Sequence, residues 1–170
     1  MGDKRRTIAF ALDGTEASRF ALSWGLGNIV QPASDHIVLL SAGVIEDDLG
    51  DLFDHSLDQL ASNGRPDERP SRSEKRASQA ANTAVGAAEQ LLLSHYAGSG
   101  VDISYELISL KTEDPRDTIA NFVDQMDVDL VVVGSKGAVS LQKLWTGSTG
   151  EYLVQTLKCP VLVVKDKKKA

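Results

Sequence analysis

The chain is poor in cysteine, in aromatic side chains and in positive charge, and each shortage removes a class of protein. Its one cysteine, Cys159, cannot build a disulfide framework and fits a reducing compartment. Cys159 precedes Pro160 and a run of valines, the setting of a buried packing thiol. Aromatics make up 5% of the residues, so the core must be aliphatic. No apolar run approaches the ~20 residues of a membrane span. Met1 to Arg6 is charged and lacks a signal-peptide apolar region; the expectation is a cytoplasmic protein with no membrane partner. Eighteen basic residues stand against 24 acidic ones, a net charge of -6, which argues against a nucleic-acid partner. The basic stretch Lys165 to Lys169 reads as a solvated end.

Catalytic and metal patterns are also missing. His36, His55 and His95 are scattered, without metal-ligand spacing. There is no G-x4-GK-[ST] phosphate loop and no GxSxG nucleophile turn. No general base stands beside a nucleophile, so no catalytic and no metal-ligating residue is expected. Gly25-Leu26-Gly27 begins like a dinucleotide fingerprint, but it lacks the third glycine and falls where a helix is expected to end.

What is present is an alternation of strand and helix patterns in 170 residues, the size of one domain. Hydrophobic residues make up 42% and charged residues 25%, a globular balance. Thr7 to Leu12 reads as a buried parallel strand, stopped by Asp13-Gly14. Ala17, Phe20, Ala21 and Trp24 form a helical face. His36 to Ala42 is a second strand. Residues 46–76 are expected to form an extended flexible loop, with a short helix of its own from Asp51 to Leu60. Ala77 to Tyr96 is a long alanine-rich helix, and Val101 to Leu107 alternates like a strand. Asp114-Pro115 is a helix start, with Ile119, Phe122, Val123 and Met126 as the buried face. Leu130 to Val133 is a strand ending at Gly134. Ser148 to Lys158 is a last helix, opened by the capping pattern Ser148-Thr149-Gly150-Glu151, and Pro160 to Val164 is a last strand. The alternation predicts an α/β fold: a mainly parallel sheet with helices on both faces, doubly wound and Rossmann-like.

The segment that carries chemistry runs from Val133 to Glu151. Gly134 and Gly137 are separated by two residues, Gly137 and Gly147 by nine, and Ser148 follows directly. Glycine at a strand end admits a ligand close to the backbone or a positive φ. A helix N-terminus adds unpaired N–H groups and the positive end of a dipole, so the pair forms a phosphate site. Lys136 could steer phosphate toward it.

This G-x2-G-x9-G-[ST] pattern, formed by Gly134, Gly137, Gly147 and Ser148, resembles the nucleotide signature of ATP-binding universal stress proteins. The turn Asp13 to Trp24, the start at Asp114-Pro115 and the end Pro160 to Lys165 resemble that family too. The resemblance implies a five-stranded parallel sheet of order 3-2-1-4-5, the adenine nucleotide alpha hydrolase-like fold. Ligands then sit where strand order reverses, between the first and fourth strands. It implies that Ala11, Leu12 and Asp13 line an adenosine pocket and that Ala42 meets adenine through its backbone. Gly134, Lys136, Gly137, Gly147, Ser148, Thr149 and Gly150 would hold ribose and phosphates. ATP, or ADP or AMP, would be the ligand, with Mg²⁺ held mainly by the phosphates. Gly150 departs from the family, which often has Ser or Thr there. A homodimer through Val161 to Val164 is implied, as is a role in stress response. A slow ATPase on the same fold, or an interaction module that binds no nucleotide, are the other readings.

Overall fold

The computed structural model describes residues 5–46, 70–135 and 149–166. Strands and helices alternate: β1 (Arg6–Leu12), α1 (Glu16–Asn28), β2 (Asp35–Val44), α2 (Arg72–His95), β3 (Ser104–Thr112), α3 (Pro115–Gln125), β4 (Leu130–Gly134), α4 (Thr149–Thr156) and β5 (Val161–Val164). The strands make one five-stranded sheet of order β3-β2-β1-β4-β5, parallel at every pairing. The sheet and its order are those expected.

β1 lies in the middle, which explains its unbroken apolar run: both of its faces are covered. Ile8, Phe10 and Leu12 pack with Leu22 and Leu26 of α1 and Val85, Ala88 and Leu92 of α2. Ala9 faces the other way, with Val38, Leu40, Val131, Ile119 and Val123 of α3 and Leu153 of α4. At the opening of the sheet, Arg6 donates to both oxygens of Asp35, at 3.0 and 2.6 Å. The Asp35 side chain is 2% exposed. Burial works against its charge, but the Arg6 guanidinium and the Gln31 N–H outweigh it and hold the carboxyl below its ordinary range.

Several boundaries differ from the sequence expectation. Gly25 and Gly27 lie inside α1 rather than ending it. At Gly25 a Cβ would come within 2.5 Å of the Phe10 ring, so this glycine seats the helix on the sheet. β3 begins at Ser104, not Val101, and runs on to Thr112, because its register with β2 extends from His36↔Ser104 to Val44↔Thr112. α2 begins at Arg72, within the segment expected to be loop. Ser71 caps it: its hydroxyl accepts from the Glu74 N–H at 3.1 Å, and Glu74 accepts from the Ser71 N–H at 2.9 Å. In α3, Ile119, Ala120 and Val123 are buried. Met126 is instead the exposed cap residue, because the helix ends before it. Cys159 is half-buried rather than buried, and burial still pushes its thiol pKa up. The expected helix at Asp51 to Leu60 lies outside the described residues.

Candidate functional site

The C-terminal ends of β1, β2 and β4 come together at one pole of the sheet. Ala11 pairs with Leu40 of β2 and with Val133 of β4. One step further, Leu12 pairs with Ser41, so Ala42 lies beside the residue that follows, Asp13. Gly134 continues β4 beside Leu12 in the same way. Residues 11–13, 42 and 134, more than 120 positions apart at the extremes, thus meet where the strand order reverses. Ala11 and Ala42 are both partly buried on the face covered by α3 and α4.

Asp13 shapes the turn that opens this edge. Its carboxylate accepts from the Thr15 N–H at 3.0 Å and the Thr15 hydroxyl at 2.6 Å. Thr15 in turn caps α1 through the Ser18 N–H. Asp13 itself is exposed at this end of the sheet.

Gly134 corrects one physical reason given for the glycine signature. It has no positive φ; among the described glycines only Gly14, Gly98 and Gly100 do. A Cβ at Gly134 would lie 2.4 Å from the Ala17 carbonyl oxygen and 2.7 Å from the Ser18 nitrogen. The first glycine of the signature is therefore required by the first turn of α1 crossing over the end of β4. The backbone atoms of Ala17 and Ser18 were the partners that sequence reasoning did not name.

The helix after the signature begins at the same pole. Thr149 and Gly150 form the first turn of α4. A Cβ at Gly150 would lie 3.3 Å from a Val133 methyl, so the missing side chain draws the helix start onto the end of β4. An N-terminal turn in this place offers N–H groups to an anion.

α3 starts beside it. Asp114 accepts from the Arg116 N–H at 2.9 Å, with Pro115 in the first turn as expected. Arg116 lies 5.5 Å from the centre of the Tyr152 ring. The Tyr152 hydroxyl donates to Asp117, and that bond raises the phenol pKa. Sequence reasoning missed this tie between α3 and α4. The spacing of Arg116, Asp117 and Tyr152 carries no local motif; only the sheet brings them together. Among the described residues no group of His, Cys, Asp and Glu could hold a metal ion. Lys136, Gly137, Gly147 and Ser148, four of the expected site residues, lie outside the described residues.

Among known proteins, the profile of the universal stress protein family matches residues 4–165. A universal stress protein A-like protein of Arabidopsis thaliana is 38% identical over 56 residues, covering 33% of this chain and 32% of the relative. A second universal stress protein of that plant is 25% identical over 168 residues, 95% of this chain and 65% of the relative. The chain thus spans less than two thirds of the length of these relatives. A solved universal stress protein structure from Arabidopsis thaliana with AMP bound has a TM-score of 0.55 at 20% identity, covering 95% of this chain and 92% of that one. A universal stress protein solved in complex with cAMP gives 0.61 at 15% identity, with 95% and 98% covered. One from Archaeoglobus fulgidus gives 0.61 at 15% identity, with 94% and 93% covered. Sheet order, signature spacing and family match agree along nearly the whole chain: it belongs to the universal stress protein family.

Proposed function

We propose that this chain binds an adenine nucleotide and acts as a nucleotide-dependent regulatory protein of the stress response. The observation that carries the reading is the meeting of the ends of β1, β2 and β4 with the N-terminus of α4 at the reversal of strand order. In open α/β sheets this is where ligands bind. Two solved family members of the same fold are bound to AMP and cAMP, which favours an adenine nucleotide over other anions.

Ala11, Leu12 and Asp13 line the adenosine side, with Ala42 presenting backbone to the base. Gly134, Lys136, Gly137, Gly147, Ser148, Thr149 and Gly150 hold ribose and phosphates. Ser148 supplies a hydroxyl, and Gly150 contributes only its N–H. Mg²⁺, when present, is held by the phosphates and its own waters. The chain acts by holding the nucleotide, and it has no assigned base for consuming it. β5 is an edge strand of the sheet and its Val163 is exposed, as is Val154 of α4. An apolar edge of this kind favours a homodimer through Val161 to Val164. A cytoplasmic location belongs to this reading, since a lone cysteine fits a reducing compartment.

The test is denaturing extraction of the purified protein with identification of the released nucleotide, paired with thermal unfolding in millimolar Mg-ATP. An extracted adenine nucleotide or a saturable rise in Tm is expected. Neither appearing overturns the proposal.

A further inference from the structure

The helix that begins at the nucleotide crevice has little to hold it. Of the eight residues of α4 only Leu153 is buried, whereas α1 buries five. A helix this short is marginal on its own, so tertiary contacts set its orientation. Leu153 belongs to the same cluster as Val131 and Val133 of β4. Gly150, three residues earlier, lies on the same helix face, and a Cβ there would come 3.3 Å from a Val133 methyl. Two contacts along one face seat the helix on the sheet but leave it free to roll about the line that joins them.

Tyr152 supplies a contact off that line. It projects about 100° round the helix from Leu153. Its hydroxyl donates to Asp117 in the first turn of α3. Arg116, 5.5 Å from the centre of the ring, is itself paired with Asp114 at 3.4 Å. The ring and the hydroxyl are thus both met from α3.

α3 is a firm base for this contact. Ile119, Ala120 and Val123 bury its inner face. At its start, the Thr112 hydroxyl at the end of β3 accepts from the Asp114 N–H at 3.1 Å and lies 2.7 Å from the Thr118 hydroxyl. Hydrogen bonds therefore run from the sheet through the start of α3 to α4.

We propose that Tyr152 and Asp117 are positioning residues of the nucleotide site: through their hydrogen bond α3 sets the orientation in which the first turn of α4 offers its N–H groups to phosphate. The role rests on the nucleotide reading of the crevice. Hydrogen bonds to phosphate weaken steeply with misalignment, and the dipole acts only near the first turn. A roll of α4 costs phosphate affinity while Ala11, Leu12 and Ala42 stay in place on the strands.

The test uses the full chain, stripped of nucleotide. In amide-resolved NMR without ligand, Tyr152→Phe, which keeps the ring and removes the hydroxyl, is expected to move the Thr149 and Gly150 resonances and to leave those of Ala11 and Ala42. In calorimetric titration with Mg-ATP, Tyr152→Phe should weaken binding about three- to tenfold, as the share of chains with α4 in the binding orientation falls. Asp117→Ala and Asp117→Asn remove the same charge, but Asn keeps an acceptor for the phenol, so the Ala variant should bind more weakly than the Asn variant. Ser71→Ala, which loses a cap on α2, controls for general destabilisation and should bind as wild type does. Unmoved Thr149 and Gly150 resonances overturn the proposal, as do equal affinities of the two Asp117 variants or equal weakening by Ser71→Ala. If wild type binds Mg-ATP and Tyr152→Phe binds it as tightly, the positioning role falls alone. If wild type binds none, the nucleotide reading falls and the positioning role with it.

Discussion

Gly134→Ala should destabilise the protein with no nucleotide present. The new Cβ would sit 2.4 Å from the Ala17 carbonyl oxygen, 2.5 Å from its carbon and 2.7 Å from the Ser18 nitrogen. All three are backbone atoms, so no side-chain rotation relieves the clash. Reaching an ordinary contact needs the first turn of α1 to retreat by about 1 Å. Overpacking of this kind costs about 1–3 kcal/mol. The retreat also strains the Thr15 cap, whose hydroxyl accepts from the Ser18 N–H at 3.3 Å, and a lost cap adds about 1 kcal/mol. The sum is about 2–4 kcal/mol, or about 5–15 °C in Tm for a domain of this size. Urea and thermal unfolding of nucleotide-stripped protein measure it. Wild-type stability in the Gly134→Ala variant, with only nucleotide binding lost, would refute the packing account and return Gly134 to a ligand-contact role.

Three further outcomes follow from the packing. Leu22→Ala, at a fully buried position of α1, should cost about 2–5 kcal/mol in urea unfolding; a loss of about 0.5 kcal/mol or less, the size of an ordinary surface change, would contradict the assigned core. Ser71→Ala should cost about 1 kcal/mol and speed hydrogen exchange in the first turn of α2, whereas unchanged exchange there would argue against a helix start at Arg72. Arg6→Ala leaves the buried Asp35 carboxylate without its guanidinium and should cost about 2–3 kcal/mol at pH 7, below the full value for a buried pair because Arg6 is itself 42% exposed. The Asp35 pKa is lowered in the fold, so the stability it contributes is present above the ordinary carboxylate value and is lost as pH falls through the depressed one. The Arg6→Ala penalty should therefore shrink as pH falls below about 4; a penalty that grows there would reverse the sign of the argument.

Much of the architecture was legible because local pattern and global topology coincide. The run Thr7 to Leu12 announces a strand covered on both faces, and Asp114-Pro115 announces α3. The family resemblance then implied which strand ends come together, and the sheet order bears that out. The misses have a common physical cause: partners distant in sequence. Gly25 looks like a helix breaker until Phe10 packs against it. The bounds of β3 are set by pairing with β2 rather than by its own alternation. The early start of α2 was the exception, since Ser71 and Glu74 are an S-x-x-E cap visible in the sequence and masked only by the polar composition around them. At the site, Ala11, Asp13 and Ala42 could be placed from family resemblance. The second reason for Gly134, the backbone of α1, could not.

The proposed nucleotide site lies at the ends of β1, β2 and β4, by the N-terminus of α4. Calorimetric titration of Mg-ATP into nucleotide-stripped protein tests it most directly, run on wild type and on the Gly147→Ala, Ser148→Ala double variant. Saturable binding at one site per chain is expected, weakened about tenfold or more in the variant, whose lost hydroxyl contact to a charged phosphate is alone worth about 1.5–3 kcal/mol. No binding in wild type, or equal affinity in the variant, would contradict it.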